Sequence, residues 1–121
     1  MEMPQELEVW YILPAVRREI AKSMCKKGLS QKEIAKRLKI TEPAISQYIK
    51  SKRGKNFKID KVLLKEVDIS ANNIDKDHST ANIIYEMNRI SNLIKKSGAI
   101  CSLHRNYDKD PSLEECDICM R

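Results

Sequence analysis

The chain has 121 residues, 41% of them hydrophobic but only 5% aromatic, and a net charge of +6. That length suits one compact domain, or a small domain with a short appendage, and the core must rest mainly on Ile, Leu, Val and Ala. The start, Met1 to Gln5, has no apolar region of the signal-peptide kind, and no run approaches the roughly 18 apolar residues of a membrane span. The expectation is a cytoplasmic protein with no membrane partner.

Only 3 Gly and 4 Pro, beside many Lys, Glu, Ile and Leu, favour an all-α fold. The charge is uneven. Residues 1–58 hold 14 Lys/Arg against 6 Asp/Glu, a net +8, whereas residues 59–121 hold 9 against 11, a net −2. A basic half of this kind attracts phosphate backbones and supplies sequence-independent affinity for nucleic acid. A solvated basic surface that only keeps the chain soluble is the plain alternative.

The first helix is predicted over about residues 6–27, with Pro14 marking a break or fresh start. Leu13, Val16, Ile20 and Met24 form its apolar stripe, and Gly28 suits the position just past its end. Cys25, next to that stripe, reads as a small core residue. Ser30 and Glu33 then form a capping box, opening a helix to Leu38 that buries Ile34, Ala35 and Leu38. Thr41 is the next N-cap, with Pro43 in the first turn. The helix that follows, over about 42–50, buries Ile45, Tyr48 and Ile49.

Two short capped helices joined by about three residues are the pattern of a helix-turn-helix. Ala35 is the small residue such a crossing needs. Lys39 stands where Gly is usual, and a left-handed conformation there costs about 1 kcal/mol. Thr41, Glu42, Pro43, Ser46, Gln47 and Lys50 are left facing outward, a short polar face suited to base edges in the major groove of double-stranded DNA. Gln47 is the best reader of a base, because an amide pairs bidentately with adenine. Ser46 suits a base or a phosphate, and Pro43 and Ala44 suit a thymine methyl. Gln31, in the first turn of its helix, suits a phosphate. Lys52, Arg53 and Lys55 look like phosphate clamps.

Beyond this basic turn, Val62, Leu63 and Val67 predict a short helix over about 60–67. Residues 71–79 read as a polar linker, with His78 exposed in it. Ser79 or Thr80 caps a longer helix to about Lys96, stopped by Gly98. Its stripe of Ile83, Met87, Ile90 and Ile94, widened by Ile84 and Leu93, reads either as a homodimer seam or as a face packed within the chain. A two-fold dimer would match half-sites about 34 Å apart.

The last 23 residues hold three of the four cysteines and little apolar periodicity. Cys101, His104, Cys116 and Cys119 make C-x2-H-x11-C-x2-C, two close pairs able to converge on one tetrahedral ion. Zn²⁺ accepts such a set as a closed structural site, and it would supply folding energy to a segment poor in apolar groups. An iron–sulfur cluster, which would make the protein a redox or iron sensor, and metal-free thiol switching are the alternatives.

The runs VWYILPAVRREI from Val9, LSQ from Leu29, TEPAISQY from Thr41 and KRG from Lys52 resemble archaeal predicted transcriptional regulators. That family has a phage-repressor-like (XRE-type) helix-turn-helix followed by a cysteine-rich tail. The resemblance covers nearly the whole chain and implies DNA binding, without a particular target. Members of the family often carry further cysteines upstream, whereas this chain has none at Gln5 or across Tyr85 to Asn88.

The expected architecture is therefore all-α. A helix-turn-helix domain of four to five helices occupies 1–70, a linker and long helix 71–98, and a small metal-binding tail 99–121. The expected function is transcription regulation through DNA, with no small-molecule substrate. An antitoxin-like interaction module is the competing reading. An enzyme is not expected, since no catalytic triad, carboxylate pair or phosphate loop appears.

Overall fold

The computed structural model describes residues 3–50, 57–107, 110–113 and 118–120, with backbone alone at 106, 107 and 119. Among the described residues all regular structure is helical. Helix α1 (Pro4–Leu7) runs through a π turn at Glu8–Ile12 into α2 (Leu13–Lys26). Pro14 thus marks a fresh start and not a break, lying in the first turn of α2 while the chain stays helical through it. Its ring crowds the carbonyl four residues back and it has no N–H to give, and the widened π turn just before it accommodates both demands.

Helix α2 ends in a Schellman motif. Gly28 takes φ +94°, the Gly28 N–H donates to the Cys25 carbonyl at 3.0 Å, and the Leu29 N–H donates to the Met24 carbonyl at 3.3 Å. These bonds satisfy carbonyls that the helix end leaves open. Cys25 is exposed, contrary to the expectation of a core position. One residue after Met24, it is turned about 100° away from the buried stripe.

Helices α3 (Gln31–Leu38) and α4 (Glu42–Ile49) follow, then α5 (Lys61–Lys76), α6 (Thr80–Lys96) and α7 (Ala99–Tyr107). Helix α5 runs through most of the segment read as a linker. Its core face is Val67, Ser70, Ala71 and Ile74, a helical spacing in which small and polar side chains hide the pattern. Asp60 caps its start by accepting from the Val62 N–H at 3.3 Å. Residues 77–79 are the short connection that remains.

Helix α6 has the predicted bounds, capped by Ser79, whose hydroxyl accepts from the Asn82 N–H at 3.3 Å. Its stripe is spent largely inside the chain. Ile90 and Ile94 are fully buried, and Ile83, Met87 and Leu93 pack against the same core, while Ile84 remains exposed. Packing within the chain has therefore taken the centre of the proposed dimer seam. One apolar cluster joins α2, α3, α4, α5, α6 and α7.

A polar network fastens α5 to α6. Glu86, 2% exposed, accepts from the Ser70 hydroxyl at 2.9 Å and from Arg89 Nε at 3.2 Å. Arg89 also reaches the Glu66 carboxylate at 2.6 Å, the Glu66 carbonyl at 3.0 Å and the Ser70 Oγ at 2.6 Å. Partial burial works against the Arg89 charge, but the hydrogen bonds to Glu66 and Glu86 outweigh it and raise the pKa above the ordinary arginine value.

Candidate nucleic-acid interface

Local chemistry shapes α3 and α4. The Glu33 N–H donates to the Ser30 hydroxyl at 3.2 Å, and the Ser30 N–H donates to the Glu33 carboxylate at 3.4 Å. This is the reciprocal capping box. Lys39 adopts φ 56°, ψ 39°, the left-handed conformation, directly after α3. The Ile40 N–H then donates back to the Ala35 carbonyl at 3.2 Å. Thr41 caps α4, accepting from the Ala44 N–H at 3.2 Å, and Pro43 lies in the first turn, where its missing N–H is harmless.

Beneath the pair, Ile34 and Ile45 are fully buried, and Ala35, Leu38 and Tyr48 nearly so, against Val16, Ile20 and Met24 of α2. Ala44 also belongs to this core. It is therefore not available to a thymine methyl, because its place in α4 falls on the same side as Ile45 and Tyr48. Ile49 is only partly buried.

On the outside, Thr41, Glu42, Pro43 and Lys50 are exposed, and Ser46 and Gln47 are half-exposed. These six occupy one end and one side of α4. Gln31 is exposed at the first position of α3. The Thr41 hydroxyl, already accepting as a cap, keeps its own proton to give to an outside acceptor. Lys52, Arg53 and Lys55 lie outside the described residues.

Contacts from outside the pair hold it in place, and these are not legible in its own sequence. Arg37 Nε of α3 donates to the Asp75 carboxylate of α5. The Ser23 hydroxyl donates to Asp68 at 2.6 Å, and Lys27 Nζ donates to the Asn72 side chain at 2.5 Å. Helix α5 is thereby tied to both α2 and α3. Asn72 and Asp75 fall within the stretch read as a linker, so the helical spacing of Val67, Ala71 and Ile74 was the signal that would have revealed them.

In the tail, Cys101 and His104 are three residues apart on α7, one above the other on the same face. Both line a cavity of about 240 Å³ together with Met3, Pro4, Gln5 and Ile118. Cys101 is 4% exposed, and the buried His104 Nε2 has no hydrogen-bond partner among the described residues. Cys116 lies outside the described residues, as does the side chain of Cys119. Among the described residues no three His, Cys, Asp or Glu side chains gather as a metal site would need. No helix among them is long and apolar enough to cross a membrane.

No curated protein and no solved structure matches the chain. Residues 20–59, from the middle of α2 to just before α5, match a family model described as helix-turn-helix. Over residues 20–59 the chain is thus similar to helix-turn-helix domains.

Proposed function

We propose that this protein is a sequence-specific transcriptional regulator that places α4 in the major groove of double-stranded DNA. The observation that carries this reading is the exposed polar face of α4 on a turn fixed by two caps, within the segment that matches the helix-turn-helix model. Gln47 and Ser46 read base edges, and Pro43 meets a thymine methyl. Gln31, Lys52, Arg53 and Lys55 hold phosphates, and Thr41, Glu42 and Lys50 complete the face turned to the groove.

The test begins with selection of bound sites from random DNA, followed by fluorescence anisotropy. Gln47→Ala loses about 1–3 kcal/mol of discrimination between the selected site and a scrambled one, whereas Lys52→Ala weakens both alike and lowers the salt slope. If neither substitution alters binding, this reading gives way to the antitoxin-like interaction module.

The tail, in this reading, holds one structural zinc on Cys101, His104, Cys116 and Cys119. The shared cavity and the orphaned Nε2 of His104 support it, because a buried imidazole nitrogen without a partner suits a ligand role. Bound zinc would crosslink the tail and leave no open coordination position. Metal analysis of protein purified without oxygen decides between zinc and iron. One zinc per colourless chain supports the staple, whereas a brown protein containing iron favours a redox-sensing cluster.

A homodimer completes the reading. With Ile90 and Ile94 buried in the chain, the pairing face proposed is the one that α5 and α6 leave outside. Val62 and Ile69, seven residues apart on one face of α5, and Tyr85 of α6 are all exposed. Sedimentation of the Val62→Glu, Ile69→Glu double variant as a monomer, against a dimeric parent, supports this face. A parent that is monomeric at micromolar concentration overturns it.

A further inference from the structure

We propose that the pocket between α2, the α3–α4 turn and α6 is a binding site for a small amphipathic anion, an aliphatic chain of about ten carbons or fewer ending in a carboxylate. The pocket measures about 360 Å³, within the range of small-molecule sites. Ile20, Leu38, Ile83 and Met87 give it apolar walls contributed by three different helices.

Two cations, Arg17 and Lys39, also line it, and no carboxylate does among the described residues. Neither cation has an ion-pair or hydrogen-bond partner among them. Three other basic groups at helix contacts are paired, Arg37 with Asp75, Arg89 with Glu66 and Lys95 with Glu8, so the distinction of Arg17 and Lys39 is their place on an apolar pocket without an acid in its lining. An apolar slot rimmed by two unpaired cations is complementary to a ligand with an apolar body and a negative head.

The charge also argues against a second copy of the chain as the occupant. A two-fold contact through this pocket would bring two Arg17 and two Lys39 side chains together with no acid from the pocket to separate them. Such like-charge juxtaposition disfavours pairing. The site is independent of the DNA reading, since its occupancy is measured without DNA.

The experiment is calorimetric titration of the full chain with decanoate, decanol and decyltrimethylammonium below their aggregation concentrations. Saturable 1:1 binding of decanoate, with the alcohol and the cation weaker by about tenfold or more, is expected from loss of a charge-assisted contact. Arg17→Gln and Lys39→Gln each weaken decanoate by about fivefold or more while circular dichroism and decanol binding stay unchanged. Ile84→Glu, which sets a carboxylate at an exposed position of the lining, abolishes decanoate binding. Absence of saturable binding overturns the proposal. So does equal binding of all three probes, or a dimer that Ile84→Glu dissociates, which would make the pocket a contact between copies.

Discussion

The α3–α4 pair and the α5–α6 pair are both two-helix units, yet they are held in opposite ways. Each end in the first pair is set by a residue within a few positions of it: Ser30 with Glu33, Lys39 with its left-handed backbone, Thr41 with Ala44. In the second pair the defining contacts cross from helix to helix, through Ser70, Glu86, Arg89 and Glu66, which lie 16 to 23 positions apart. Local devices give α3 and α4 their shape, and distant ones fix where that shape sits.

The largest expected effect comes from cutting the distant network. Glu86→Ala removes the buried acceptor of the Ser70 hydroxyl and one of the partners of Arg89, which keeps Glu66, and should lower unfolding free energy by about 2 kcal/mol. Urea denaturation followed by circular dichroism measures it, and a loss under about 1 kcal/mol would remove the contrast between the two pairs. Ser30→Ala deletes one local cap and is expected to cost about 1 kcal/mol. A loss as large as that of Glu86→Ala would mean that the caps too act across the fold.

The smallest effect has the opposite sign. Lys39→Gly relieves the left-handed strain, offset by the greater freedom of an unfolded glycine, for a net gain of about 0.5 kcal/mol. If thermal melting shows Lys39→Gly to be destabilising, the Lys39 side chain contributes more to the fold than its backbone strain takes away.

This contrast also explains what the sequence reveals. The capping box, the Thr41 cap, the strained Lys39, the glycine after α2 and the bounds of α6 are readable because each depends on neighbours in the chain. Cys101 and His104, three residues apart on α7, line one cavity, which their spacing allows and does not by itself explain. The length of α5 is not readable in the same way, since its inner face uses Ser70 and Ala71, which carry little hydrophobic signal. The fate of the α6 stripe is not readable either. Ile90 and Ile94 have the same spacing whether they meet a second chain or their own core, and only the placement of α2 and α5 decides between the two. The place of Ala44 is unreadable for a related reason, because a small apolar residue beside Ile45 fits a core and a groove contact equally well.

Gly28 separates two properties that an ordinary substitution confounds. Its backbone lies at φ +94°, yet a Cβ built there meets nothing within 4 Å. The position therefore excludes side chains by handedness and not by size. A semisynthetic chain carrying D-alanine at this position is expected to gain about 0.4–1 kcal/mol if the opposite face of Gly28 is as open, because a mirror-image residue favours positive φ and is less free when unfolded. L-alanine at the same site, with the same volume, should instead lose about 1–2 kcal/mol. The end of α2, on which the whole helix-turn-helix rests, is thus a choice of chirality made with the one residue that has none.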